Sequence, residues 1–125
     1  MKSNTTYIFY ILTLTLSLNF IGCNKSIPFN SNTWKSTSSY SYKKNDITDR
    51  QKMLKDMLQV IKGKSKLEII KLLGPGKKTA YFKKTENNLV YLLGPERSFF
   101  SIDNEWLLLN FDKNEKLTSH SITTD

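Results

Sequence analysis

One cysteine and one histidine stand in 125 residues, and each scarcity closes off a chemistry. A single cysteine, Cys23, leaves no pair for a structural disulfide. A zinc site takes three or four ligands, mostly Cys and His, and Cys23 with His120 does not supply the usual set. No metal and no cofactor is expected. A serine triad needs a histidine base. The only one, His120, lies between Ser119 and Ser121, and strand neighbours point to opposite faces, so neither serine orients the imidazole. Five glycines and three prolines are enough to punctuate elements, not to build a glycine-rich loop. Gly74-Pro75-Gly76-Lys77-Lys78 pairs glycines with lysines, but it follows a helix. Phosphate cradles open a helix. No catalytic residue is assigned, and the chain reads as non-enzymatic.

The positional gaps are as informative. Residues 7–22 carry no charge, and Lys2 precedes them. A basic start, an apolar middle and a small residue before a cut is the layout of an export signal. Gly22-Cys23 resembles the end of a bacterial lipoprotein signal. That resemblance implies cleavage after residue 22 and acylation of Cys23, with the mature chain held at the cell envelope. The expected side is the outer membrane facing the periplasm. An uncleaved anchor or an ordinary secretory signal are the alternatives. A bilayer span needs about 20 apolar residues, and this segment is shorter and interrupted by Asn19.

The remaining residues, 23–125, suit one small domain. Net charge is +8 for the whole chain. Residues 24–45 hold Lys25, Lys35, Lys43 and Lys44 and no acid, so the basic excess lies mainly beside Cys23. Lysines near a membrane attract anionic head groups. Nucleic acid is not an expected partner for an exported chain. Residues 23–45 are rich in Ser, Asn and Thr and show no period, the composition of a lipidated flexible tether. Such a tether reaches about 25 Å. Trp34, Tyr40 and Tyr42 stand out in it, suited either to packing on the domain or to the lipid interface.

The folded domain is expected over 46–125. Met53, Leu54, Met57, Leu58 and Ile61 form one helical stripe, with Thr48 and Gln51 as a capping box and Gly63 as terminator. A second helix is predicted over 66–73, capped by Ser65 and Glu68. Its apolar content (Leu67, Ile69, Ile70, Leu72, Leu73) predicts burial on two sides. Beyond Pro75 the period becomes two. Strands are expected at 79–83 (an edge), 89–93, 106–111 and 117–123, with Gly94-Pro95 breaking the second. Asn114 is the expected left-handed residue of the turn 112–115. The fold class is therefore α+β, with two N-terminal helices packed on one face of a three- to four-stranded antiparallel sheet.

The segment 61–75, with its Gly-x-Ser turn, short capped helix and Leu-Leu-Gly-Pro ending, resembles small bacterial lipoproteins related to the outer-membrane assembly factor BamE (SmpA/OmlA). It is also similar to the β-lactamase-inhibitor-protein-like (BLIP-like) fold. The resemblance spans about 46–125. It implies a helix-helix-sheet build and a scaffolding, assembly or inhibitory task, and it carries no partner-binding residue onto this chain.

Asp103 and Glu105 are two apart, the spacing of a carboxylate pair on one strand face. Arg97 is placed to pair with one of them and pin the loop. The turn 112–115 has oxygen ligands but lacks the longer loop and glycine of a calcium site. The strand 106–111 is apolar on both faces: Leu107, Leu109 and Phe111 on one, Trp106 and Leu108 on the other. A second apolar face is covered either by the chain itself, through the tether or the loop with Phe99 and Phe100, or by a partner. Trp106, Leu108, Arg97, Phe99 and Phe100 are the candidate partner-binding residues. The expected function is a lipid-anchored protein-binding or scaffolding module. The alternative is an inhibitor of a periplasmic or secreted enzyme, acting through the exposed sheet face. No small-molecule substrate is indicated.

Overall fold

The computed structural model describes residues 25–37, 46–79, 82, 87–100 and 102–125. Residues 1–24, including the expected export signal and Cys23, lie outside this set, as do 38–45. The described residues form an α+β fold of three helices followed by three antiparallel strands.

The stripe containing Met53 and Met57 becomes α2, Asp49–Ile61, after a short α1, Ser31–Ser36. Met53, Met57 and Ile61 are fully buried. Side chains of this size contribute about 1.5–3 kcal/mol each when removed from water. The expected capping box is present: Thr48 Oγ1 accepts from Gln51 N, and Gln51 Oε1 accepts from Thr48 N, both at 3.0 Å. Gly63 stops the helix at φ 73°, a conformation that costs a residue with a Cβ. Next comes α3, Lys66–Leu73, whose Ser65–Glu68 capping box is also formed. Burial on two sides is not found there. Ile69 and Leu73 are buried and Ile70 and Leu72 half-buried, but Leu67 is 60% exposed.

The strands are β1 (Asn88–Pro95), β2 (Asn104–Phe111) and β3 (Leu117–Thr124), in the order β1-β2-β3. Gly94-Pro95 does not break β1. The strand continues across a bulge between Leu92 and Gly94, and Pro95 still pairs with Asn104. Gly94 sits at φ 152°, and a Cβ there would run into the Thr48 methyl. Of the expected edge strand at 79–83, residues 80, 81 and 83 are not described, and Thr79 is not in a strand. Lys77 N–H still donates to the Val90 carbonyl at 2.7 Å. In the β2–β3 turn the left-handed residue is Glu115 (φ 59°), not Asn114. Asp112 Oδ1 accepts from Asn114 N and Lys116 N, which puts the left-handed position one residue later, after the turn proper.

The main core joins both halves of the sequence. Trp34, Met53, Met57, Ile61, Ile69 and Leu73 share one cluster with Leu89, Tyr91, Leu93, Leu107, Leu109 and Phe111. Trp34 corrects the reading of 23–45 as a free tether: it is fully buried. Its ring lies edge-on to Tyr91 and under Arg50, 5.2 Å from the guanidinium carbon. Around it the segment is tied down by backbone bonds. Ile27 N donates to Lys52 O, Phe29 N to an Asp56 carboxylate oxygen at 2.7 Å, and Arg50 Nε to Trp34 O. Residues 25–37 thus belong to the folded domain. The physical reason is tertiary: a six-residue helix is too short to stand alone, and an indole supplies the packing that Ser, Asn and Thr do not.

Candidate functional site

Three places on the surface could carry a binding function, and the candidate residues are divided among them. The far side of the sheet is the first. Val90, Leu92 and Trp106 form a second buried cluster, with Phe82 and Leu108 packed against it. Phe82 meets Trp106 edge-on, centroids 5.6 Å apart. Trp106 is only 5% exposed and its Nε1 donates to Asp125 Oδ2 at 3.1 Å. The Asn104 backbone N–H, with Trp106 and the Asn104 side chain, holds the Asp125 carboxyl below the usual carboxylate range. Trp106 is therefore covered, and Leu108 is half-buried beside it. Among the described residues the cover comes from Phe82, while Phe99 and Phe100 stand exposed. The sequence placed Phe82 in an expected edge strand and gave no sign that it would meet Trp106.

The β1–β2 loop is the second place. Arg97 binds Glu105 through both carboxylate oxygens, at 2.7 and 3.1 Å, so the expected pinning contact is present. Glu105 is buried, and this pairing compensates its charge. Asp103 is exposed in a bend, and its carbonyl accepts from Glu96 N, so the two acids do not form a working pair. Beyond Arg97 the loop turns outward. Phe99 is 91% exposed, Phe100 68% and Ile102 81%, with the two Phe rings edge-to-face at 5.2 Å.

The outer side of β3 is the third. Among the described residues no strand pairs with this edge. Asp125 N donates to Asn104 O. Antiparallel ladders alternate, so Thr123 and Ser121 bond to β2 while Thr124, Ile122 and His120 turn their backbone groups outward. Beside the strand lies a groove of about 540 Å³ against α2, lined by Lys55, Leu58, Lys62, Leu117, Ser119 and His120 among others. No acid lines it. Sequence reading passed over β3 because its Ser and Thr residues carry no distinctive chemistry. The missed signal was the absence of charge through eight residues.

Among the described residues no group of three His, Cys, Asp or Glu could hold a metal, and no helix is long and apolar enough to cross a membrane. Burial raises the Tyr91 phenol well above its ordinary pKa, against a smaller opposing pull from Arg50. Its hydroxyl donates to Gly74 O at 2.9 Å and closes the end of α3 onto β1. Comparison of the chain with protein-family models, curated proteins and solved structures finds no match.

Proposed function

We propose that this chain is a lipid-anchored, non-enzymatic module of the bacterial cell envelope that binds another protein, with Cys23 as the acylated residue. The expected side is the outer membrane facing the periplasm. The build is of the BamE-like or BLIP-like kind, with the helices laid over one face of the sheet. The shared cluster of Met53, Met57, Ile69, Leu107 and Leu109 supports that layering.

The outer edge of β3, which no described strand pairs, carries the binding reading. Edge strands are ordinarily blunted by lysine, proline, a bulge or a covering element. A bulge at Thr118 and the bond from Leu117 N–H to Lys64 O blunt its start, but from Ser119 to Thr124 it has neither charge nor proline nor bulge. Adding an extended segment of a partner to such an edge gains main-chain hydrogen bonds, with side-chain specificity from neighbouring pockets. Lys55, Lys62 and His120 beside it favour a segment bearing carboxylates.

The test is a photocrosslinking residue at His120 in intact cells, alone and with Ile122→Pro. Proline there removes an outward N–H and leaves the bonds to β2 in place. A discrete adduct abolished by Ile122→Pro supports strand addition. Adducts unchanged by the proline, or none, overturn it. Radiolabelled palmitate, compared with Cys23→Ser, tests the anchor independently. A second reading, inhibition of a secreted or periplasmic enzyme, has one observation in its favour: Phe99 and Phe100 protrude as an apolar wedge of a size that fits an enzyme cleft.

A further inference from the structure

We infer that the tip of the β1–β2 loop, Phe99, Phe100 and Ile102, is a membrane-docking element that seats the domain on the bilayer surface. The inference rests on the lipid-anchor reading for its geometry and goes beyond it, because acylation by itself leaves the domain free to tumble about its attachment.

Three observations converge. The first is the tip itself. Its three large apolar side chains are the most exposed of that kind among the described residues, ahead of Leu67 on α3. Contiguous apolar surface of this sort marks a contact, and paired aromatics flanked by polar residues suit the boundary between head groups and acyl chains.

The second is where the described chain begins. Residues 25–37 pack on the domain, so the tether cannot supply the reach of about 25 Å that its composition implies. Lys25 and Ser26 line a pocket of about 340 Å³ together with Lys52, Lys55 and Arg97. Arg97 is the base of the Phe-bearing loop. Lys25 and Ser26, where the described residues begin, therefore lie at the same end of the molecule as the base of the tip. Cys23 is two residues before Lys25, a span of at most about 7 Å. An acyl chain on Cys23 brings this end, and no other, against the bilayer.

The third is charge. The four cations Lys25, Lys52, Lys55 and Arg97 line that pocket, and no acid does. Lys52 is shared with Asp49 at 3.6 Å and Arg97 with Glu105. Lys25 and Lys55 have no ion pair among the described residues. Each such lysine near an anionic surface adds attraction. Glu96 and Asp103 flank the tip and oppose it, so the seat is shallow: rings at the head-group boundary, lysines over the phosphates.

A bilayer is favoured over a protein as occupant because a protein cleft does not explain why the start of the chain and the tip share one end. The opposite end of the sheet provides the control. The β2–β3 turn, with exposed Lys113, lies a full eight-residue strand away, about 26 Å.

The experiment places a nitroxide label through Phe100→Cys or Lys113→Cys in the full lipidated chain, reconstituted in vesicles of equal parts phosphatidylglycerol and phosphatidylethanolamine. Collisions with oxygen, which concentrates in lipid, and with a water-soluble nickel chelate are then compared. The Phe100 label is expected to favour oxygen several-fold over its own value in detergent-free buffer, and the Lys113 label to remain water-like. Lys25→Glu with Lys55→Glu should shift the Phe100 label back toward water. Water-like behaviour at both positions overturns the proposal, as does shielding at Phe100 that appears only when envelope proteins are added. The same pair in a Cys23→Ser background, beside palmitate labelling, separates the two readings. Palmitate incorporation with a water-exposed tip sinks docking and keeps the anchor. An inserted tip without palmitate keeps docking and sinks the anchor.

Discussion

The two capping boxes of this chain have the same spacing and opposite fates. Thr48 with Gln51 is sealed inside the protein: Thr48 is fully buried and Gln51 is 4% exposed. Ser65 with Glu68 is on the surface. Each satisfies donors at the start of its helix, as the motif does anywhere. Only the first also holds the fold together. Thr48 Oγ1 donates to Leu93 O at 2.6 Å, and Gln51 Nε2 donates to Pro95 O at 2.7 Å. The start of α2 is thereby clipped to the bulge in β1, and Gly94 leaves room for the Thr48 methyl. The difference teaches that a local motif fixes local geometry, while its weight in stability depends on what the rest of the chain brings to it.

The sharpest way to break the comparison is Gly94→Ala. A Cβ at this position collides with Thr48 and strains the backbone. It should lower stability by about 3–5 kcal/mol, read as a large fall in the urea midpoint. Next is Thr48→Ala, which removes the cap and strands the buried Leu93 carbonyl, at a cost of about 2–4 kcal/mol. The matched change Ser65→Ala should cost only about 0.5–1 kcal/mol. Equal losses from the two alanines would refute the distinction drawn between the boxes.

Acid sharpens it further. The Ser65 backbone N–H and then its hydroxyl, helped by Lys116 and Lys64, hold the Glu68 carboxyl below its ordinary 4.5, against a small effect of burial. A lowered folded-state value means that the carboxylate's contribution is present above 4.5 and is lost as pH falls through the folded value. The Thr48 box contains Gln51 and does not titrate. Thermal melts of the wild type and Glu68→Gln, taken from neutral pH down through the carboxylate range, should therefore converge. A constant gap would contradict the assignment. The smallest effect belongs to the exposed tip: Phe99→Ser with Phe100→Ser should leave the melting curve of the protein in buffer nearly unchanged, within about 0.5 kcal/mol.

Much of the helical half was legible in the residues. The stripe through Met53 and Met57, both capping boxes and the stop at Gly63 are short-range signals, and short-range chemistry realises them. The sheet was legible in its periodic parts, β2 above all. Its irregularities were not. Gly94-Pro95 is a strand break by local rule, yet β2 and the Thr48 clip carry β1 through it with a bulge. Residues 25–37 were the largest difference. Ser, Asn and Thr there announce no period, and Trp34 alone marked the segment as something other than a tether. The Arg97–Glu105 pair was readable from charge and spacing. That the Trp106 face is covered was legible in the two-sided apolarity of β2; that Phe82 supplies the cover was not.

By itself the sequence determined the limits of α2 and α3, the strand that dominates the sheet, and an uncharged N-terminal run ending at Gly22-Cys23. Those depend on contacts within a few residues, where side-chain period and capping chemistry decide the outcome. Tertiary structure alone decided that Trp34 belongs to the core, that one capping box is a structural joint, and that no described strand pairs with the outer edge of β3. It also brought Lys25 and Arg97, the base of the Phe-bearing loop, to one pocket. Each of these joins residues far apart in the chain, and their meeting is set by how the whole core closes, which no local pattern encodes.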